Sequence, residues 1–163
     1  MILPKHEIEK RKLVTGFLSE SQFQPCGVDL TLKEAFELTS AGAIDHDNSQ
    51  RKLSETRPIP FEGEWLRLGP GAYKIIYNEI ISIPPDCAGL AFPRSSLLRC
   101  GCDVHCAVWD PGYTGRSESL LVVENPHGVK LKRGARLVQL VFFRLTERAR
   151  EVYAGRFNNE NLE

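Results

Sequence analysis

No apolar run in this 163-residue sequence approaches the about 20 residues needed to span a bilayer. Its start, Met1-Ile2-Leu3-Pro4-Lys5-His6-Glu7, reaches charged residues without the apolar core of a secretory signal. No membrane partner is expected, and the location is read as cytoplasmic. An excess of either charge is missing too, with Lys plus Arg and Asp plus Glu at 21 each. Without a basic field no nucleic-acid partner is expected, and any bound anion must be held by a local cluster. Cysteine is sparse and odd in number, at Cys26, Cys87, Cys100, Cys102 and Cys106, which argues against a complete disulfide framework. Cys100, Cys102, Cys106 and His105 are close in sequence, yet structural zinc sites use a two-residue gap within each pair and a second pair. Core thiols are the expectation. The phosphate loop Gly-x-x-x-x-Gly-Lys-Ser/Thr is absent, and so is a glycine-rich dinucleotide fingerprint. The His-x-Glu and Pro-Cys-x-x-Cys pairs of zinc-dependent base deamination are also lacking.

What is present is a soluble composition, 42% hydrophobic and 26% charged, in a length that suits one domain over residues 1–163. Residues 4–13 predict a short helix, with Pro4 in its first turn and Gly16 beyond its end. Ile8 and Leu13 are its main apolar residues, so it is expected at the surface. Val28, Leu30 and Leu32 alternate with Asp29 and Thr31, as in a half-buried strand carrying a carboxylate on its polar face. Residues 41–60 turn polar and irregular and predict a long surface loop. Strand character resumes over 66–77 about a Gly-Pro-Gly turn, then over 80–85 and 88–92. Residues 119–123 and 137–143 are continuous apolar runs, the mark of buried strands. Short strands punctuated by Gly and Pro, with almost no helical period, predict an all-β barrel or sandwich. The tail over 152–163 is polar and rich in Gly and Asn, either frayed or, through Arg156 and Phe157, a mobile lid.

Two segments carry chemistry. Pro93-Arg94-Ser95-Ser96-Leu97-Leu98-Arg99 sets guanidinium groups beside hydroxyls, able to grip phosphate oxygens. Taken alone, Arg94-Ser95-Ser96 fits a buried Arg beside an ordinary turn more readily. Asp110-Pro111-Gly112-Tyr113 encodes a tight turn that aims Asp110 and Tyr113 at one hairpin mouth. There a carboxylate can act as a base on water and a ring can pack on a sugar. A turn-capping Asp and a core-covering Tyr fit the same residues equally well. Gln139 is a lone amide in an apolar strand, where burial would oblige it to find a hydrogen-bond partner.

Read in order from about Gln24 to Asn161, these segments resemble the dUTPase and dCTP deaminase superfamily. Gln24-Pro25-Cys26-Gly27-Val28-Asp29-Leu30 resembles its first motif and Pro93 to Leu97 its second. Ala107-Val108-Trp109-Asp110-Pro111-Gly112-Tyr113-Thr114-Gly115 resembles its third, and Gly134 to Phe142 its fourth. The pattern is most similar to archaeal dUTPases. Tyr153-Ala154-Gly155-Arg156-Phe157 stands where ordinary trimeric dUTPases carry a Gly-rich fifth motif. The resemblance implies a jelly-roll-like (β-clip) fold, a homotrimer with sites at subunit boundaries, and hydrolysis of dUTP with Mg²⁺. Asp110 would activate or position water, and Arg94, or Arg94 as a buttress to Asp110, would act with Ser95, Ser96 and Arg99 around the phosphates. Gln139 would orient a water or phosphate. Ala107 and Val108 would read uracil through the backbone, Tyr113 would lie under the deoxyribose, and Arg156 and Phe157 would close over the nucleotide. Mg²⁺ would be held by the phosphates, with Asp29 reaching it through water. The deaminase branch carries a catalytic glutamate on the strand after the Asp-Pro-Gly turn, and an ungapped count puts Leu120 there. Glu118, two residues earlier on the same face, takes that role only if a bulge shifts the strand. Deamination of dCTP is thus the second reading, and a non-catalytic nucleotide-binding jelly roll the third.

Overall fold

The computed structural model describes residues 1–162. Its strands are β1 (Val14–Thr15), β2 (Phe23–Gln24), β3 (Gly27–Leu38), β4 (Thr56–Pro58), β5 (Trp65–Leu68), β6 (Gly71–Tyr77) and β7 (Ile80–Ser82). They continue with β8 (Cys87–Pro93), β9 (Cys102–His105), β10 (Thr114–Gly115), β11 (Glu118–Val123), β12 (Val129–Lys132) and β13 (Arg136–Arg144). Two short helices, α1 (Lys5–Lys10) and α2 (Ser95–Arg99), complete the set with a single 3-10 turn at Glu20–Gln22.

The all-β, jelly-roll-like architecture turns on β3. Residues 28–31 pair with β13, while residues 32–37 pair with β6. The register shifts between Leu32 and Glu34 opposite β6, and between Arg136 and Val138 opposite β3. Such irregularities let one strand pass from a first sheet into a second. The main path therefore runs β8-β13-β3-β6-β11-β9, with β1-β7-β10 and β12-β5 as smaller sheets. Val28, Leu30, Leu137, Leu140 and Phe142 from one half share a continuous core with Ile75, Tyr77, Leu121 and Val104 from the other.

Several local expectations change. The helix ends at Lys10 because Lys12 takes a left-handed φ of 51°. Its apolar residues are not superficial, since Ile8 and Leu13 are both fully buried. The first half of β3 is buried on both faces, Asp29 and Thr31 included. That second face is covered by polar partners, which is why it reads as exposed in the sequence. Glu79 receives hydrogen bonds there from the Thr31 N–H at 2.8 Å, the Thr31 hydroxyl at 2.5 Å and Gln22 Nε2 at 2.7 Å. All five cysteines are free thiols; Cys87 and Cys102 are buried as expected, whereas Cys26 and Cys100 are exposed. Among the described residues no helix is long and apolar enough to cross a membrane.

Candidate active site

Asp110-Pro111-Gly112-Tyr113 closes as a β-turn, the Tyr113 N–H donating to the Asp110 carbonyl at 3.1 Å. Pro sets the second position, and Gly112 supplies φ +90° at the third. The preceding Trp109 locks the turn to β8 through paired backbone bonds with Gly89, at 2.9 and 3.0 Å. Beyond it, Tyr113, Gly115, Ser117 and Ser119 face inward at a period of two.

These elements enclose a cavity of about 390 Å³, lined by Ala107, Val108, Asp110, Tyr113, Glu118 and Phe157 among others. Asp110 sits exposed at its rim. The Trp109 indole N–H donates to Ser117 Oγ at 2.5 Å, and Ser117 Oγ lies 2.9 Å from the Tyr113 hydroxyl. Tyr113 in turn donates to Glu160 Oε1 at 2.8 Å. Since Tyr113 gives its proton to Glu160, Ser117 is the donor to Tyr113, and all the bonds run in one direction. Burial, assisted by Glu160, pushes the Tyr113 phenol up and keeps it a donor. Glu118 pairs with Lys74 at 2.9 Å on the cavity wall.

A second cluster lies around β3, β13 and the end of β8. Gln139 stands opposite Asp29 on one side and Phe92 on the other. With Gln24, Arg94 and Ser95 they line a depression of about 290 Å³. Asp29 is 1% exposed. Its Oδ2 accepts from Arg94 Nη1, from Gln24 Nε2 at 3.1 Å and from Arg136 Nη1 at 3.4 Å. Burial pushes the Asp29 carboxyl up, and the two guanidiniums oppose it. This carboxylate therefore anchors Arg94 within the chain. Ser95 and Ser96 open α2 and are exposed. Arg99 is exposed as well, its Nη1 on the Ser95 carbonyl at 2.9 Å. Gln139 is half-buried rather than enclosed, its amide reaching the Cys26 thiol at 3.9 Å. Its side chain faces the depression instead of satisfying a neighbour in the core.

The two cavities share no lining residue. Asp110, Tyr113, Ala107, Val108, Glu118 and Phe157 fall in one, and Arg94, Ser95, Gln139 and Asp29 in the other. Arg156 is exposed and lines neither. Leu120 pairs with Lys74 and His105 in a ladder that runs from Glu118 to Val123 without a register shift. No bulge moves Glu118 into its place. The sequence reading missed Trp109, Ser117, Tyr153, Glu160 and Leu53 as cavity residues. The period of two from Tyr113 marks Ser117, and Tyr153 lies in the tail segment that stands in place of a fifth motif, whereas Leu53 and Glu160 arrive from distant segments with no local signal.

The dCTP deaminase-like family profile matches residues 3–145. The "Probable deoxyuridine 5'-triphosphate nucleotidohydrolase" of Methanosarcina mazei is 51% identical over 144 residues, 88% of this chain and 84% of that one. The "Deoxyuridine 5'-triphosphate nucleotidohydrolase" of Methanocaldococcus jannaschii is 40% identical over 140 residues, 85% of this chain and 88% of that one. Among solved structures, the 2'-deoxycytidine 5'-triphosphate deaminase of Agrobacterium tumefaciens superposes with a TM-score of 0.63 at 21% identity. That likeness of fold covers 86% of this chain and 47% of the deaminase. With its third-motif turn, its jelly-roll-like strands and these relatives, the chain belongs to the dCTP deaminase-like family.

Proposed function

We propose that this chain hydrolyses dUTP to dUMP and pyrophosphate, as a single-domain, cytoplasmic homotrimer. The observation that carries the choice is Leu120. By the ungapped count that the resemblance implies, it falls where the deaminase branch carries its glutamate; the ladder there has no register shift, and a hydrocarbon side chain moves no proton. Relatives at 51% and 40% identity bear the name of a dUTP-hydrolysing enzyme, which supports the same reading.

Asp110 takes a proton from water as that water attacks the α-phosphorus. The bond from this phosphorus to the oxygen bridging to the β-phosphorus breaks, and pyrophosphate leaves. General-base help of this kind is worth about 10²–10⁴-fold. Tyr113 lies under the deoxyribose and leaves no room for a 2′-hydroxyl. Backbone groups from Ala107 to Asp110 read uracil, and cytosine is rejected because its exchanged donors and acceptors leave fixed partners unpaired. Arg94, Ser95 and Ser96 bind phosphate oxygens, with Arg99 at the margin, and Gln139 orients a water or phosphate.

That the two cavities share no residue supports a site completed between copies, with Arg94 and Gln139 of one protomer meeting Asp110 and Tyr113 of the next. Exposed apolar side chains at both places suit that contact, Phe92 at 57% and Val108 at 55%. Among the described residues no three His, Cys, Asp or Glu side chains form a metal cage, and Asp29 is occupied by its guanidiniums. This donor set fits a Mg²⁺ ion carried by the triphosphate, as its reluctance to dehydrate favours. When bound, the ion would neutralise phosphate charge.

Incubation with dUTP or dCTP and Mg²⁺ tests the proposal. Pyrophosphate released from dUTP supports it. Ammonia from dCTP would establish the deaminase instead, and neither product would leave a binding module.

A further inference from the structure

The described residues of the tail, to 162, lie docked against the segment from Pro111 to Arg116. The Asn159 N–H donates to the Thr114 carbonyl at 2.7 Å, and the Arg116 N–H to the Glu160 carbonyl at 3.0 Å. Gly115 and Glu160 thereby form a parallel bridge. Asn158 Oδ1 accepts from the Thr114 N–H at 2.9 Å, and Asn161 Nδ2 donates to the Arg116 carbonyl at 3.0 Å. Upstream, the Tyr153 N–H donates to the Pro111 carbonyl at 2.7 Å, and its ring packs edge-on to Tyr113 at 6.0 Å. Two glycines of the turn motif leave room for this chain. A Cβ on Gly112 would lie 2.6 Å from the Val152 Cβ, and one on Gly115 would lie 2.9 Å from the Tyr113 hydroxyl and 3.1 Å from the Glu160 carbonyl.

We infer that Glu160 is a positioning residue for nucleotide selection, a standing wall of the cavity that holds the Tyr113 ring through its hydroxyl before any nucleotide arrives. The assignment rests on the proposed dUTP site, with Tyr113 as the group that excludes a 2′-hydroxyl. Tyr113 is held at its hydroxyl by Ser117 on the scaffold and by Glu160 on the tail. With the Glu160 acceptor lost, the phenol can turn its proton to Ser117 and the directed chain from Trp109 loses its terminus. The ring is then free to yield to a ribonucleotide.

The experiment compares dUTP with UTP. Glu160→Ala should lower the ratio of kcat/KM for dUTP over UTP about fivefold, the order expected from one hydrogen bond. The loss should fall on KM, while kcat for dUTP changes little because Asp110 is untouched. Glu160→Gln keeps an acceptor for the phenol and should restore the ratio. Tyr113→Phe should match Glu160→Ala, and the double variant should be no worse than either. An unchanged ratio in Glu160→Ala, or equal losses on both nucleotides that Glu160→Gln does not restore, overturns the assignment. Hydrogen exchange of nucleotide-free wild type adds a readout independent of activity. Slow exchange at the Arg116 and Asn159 amides is expected, and fast exchange would overturn the standing wall. Wild type that turns over no dUTP, with those amides protected, would instead defeat the proposed function and leave the docked tail intact.

Discussion

The Tyr113 phenol donates to the Glu160 carboxylate at 2.8 Å across 47 positions of sequence. It joins the turn that bears the proposed catalytic carboxylate to the end of the chain. A pocket wall built this way is open to titration at its tail side.

That titration has a definite sign. Burial, with Glu118 adding to it, pushes the Glu160 carboxyl up, while Tyr113 and Lys74 pull it down. A docked tail therefore keeps its proton to higher pH than a free one. Docking is strongest below the ordinary Glu value of about 4.3 and weakens as pH rises through the raised value. Tail amides, corrected for intrinsic exchange, should open more readily as pH climbs, and Glu160→Gln should abolish that trend.

Asp110→Asn should lower dUTP turnover about 10²–10⁴-fold, the general-base range. Asp110 is exposed on its turn and closes it through the backbone carbonyl, so the melting temperature should hold. Titration calorimetry with a non-hydrolysable dUTP analogue should still detect binding. Near-normal turnover would remove Asp110 from its role.

Asp29→Asn should destabilise the fold by about 3 kcal/mol, the low end for breaking a buried ion pair, since Arg94 keeps an edge in solvent. Urea unfolding measures it. The same change should raise KM for dUTP, because Arg94 loses the partner that aims it.

Glu79→Gln replaces a carboxylate accepting three hydrogen bonds with an amide that turns N–H groups toward donors. The expected cost is about 1–3 kcal/mol. Burial pushes the Glu79 carboxyl up, against the donors on Thr31 and Gln22. Its contribution is therefore fullest below about pH 4.3 and declines as pH rises through the raised value. The stability gap between wild type and Glu79→Gln should narrow with rising pH in paired urea titrations.

The all-β class, most strand positions and the Asp110 to Tyr113 turn are legible in the residues, because alternation and Pro-Gly turn chemistry act over a few neighbours. Leu120 at the position counted from Asp110 follows from the sequence, and a ladder without a register shift leaves that count in place. Asp29 was legible as a strand carboxylate but not as a buried one. Arg94 and Arg136, 65 and 107 positions away, make its burial tolerable. The fate of Gln139 likewise depends on what β8 and β3 bring alongside.

Local order thus resides in the chain itself: turns, strand period, the spacing of Asp110 and Tyr113, and the leucine at position 120. Assembly resides in contacts between distant segments. Arg94 and Asp110 fall in different cavities because Arg94 follows the end of β8 at Pro93, while Trp109, next to Asp110, is bridged to Gly89 further back on that strand. The docking of Glu160 beneath Tyr113 needs Gly112 and Gly115 to leave room for a backbone that approaches from the far end of the sequence. No local pattern encodes either, because the partners are neighbours only once the sheets have formed.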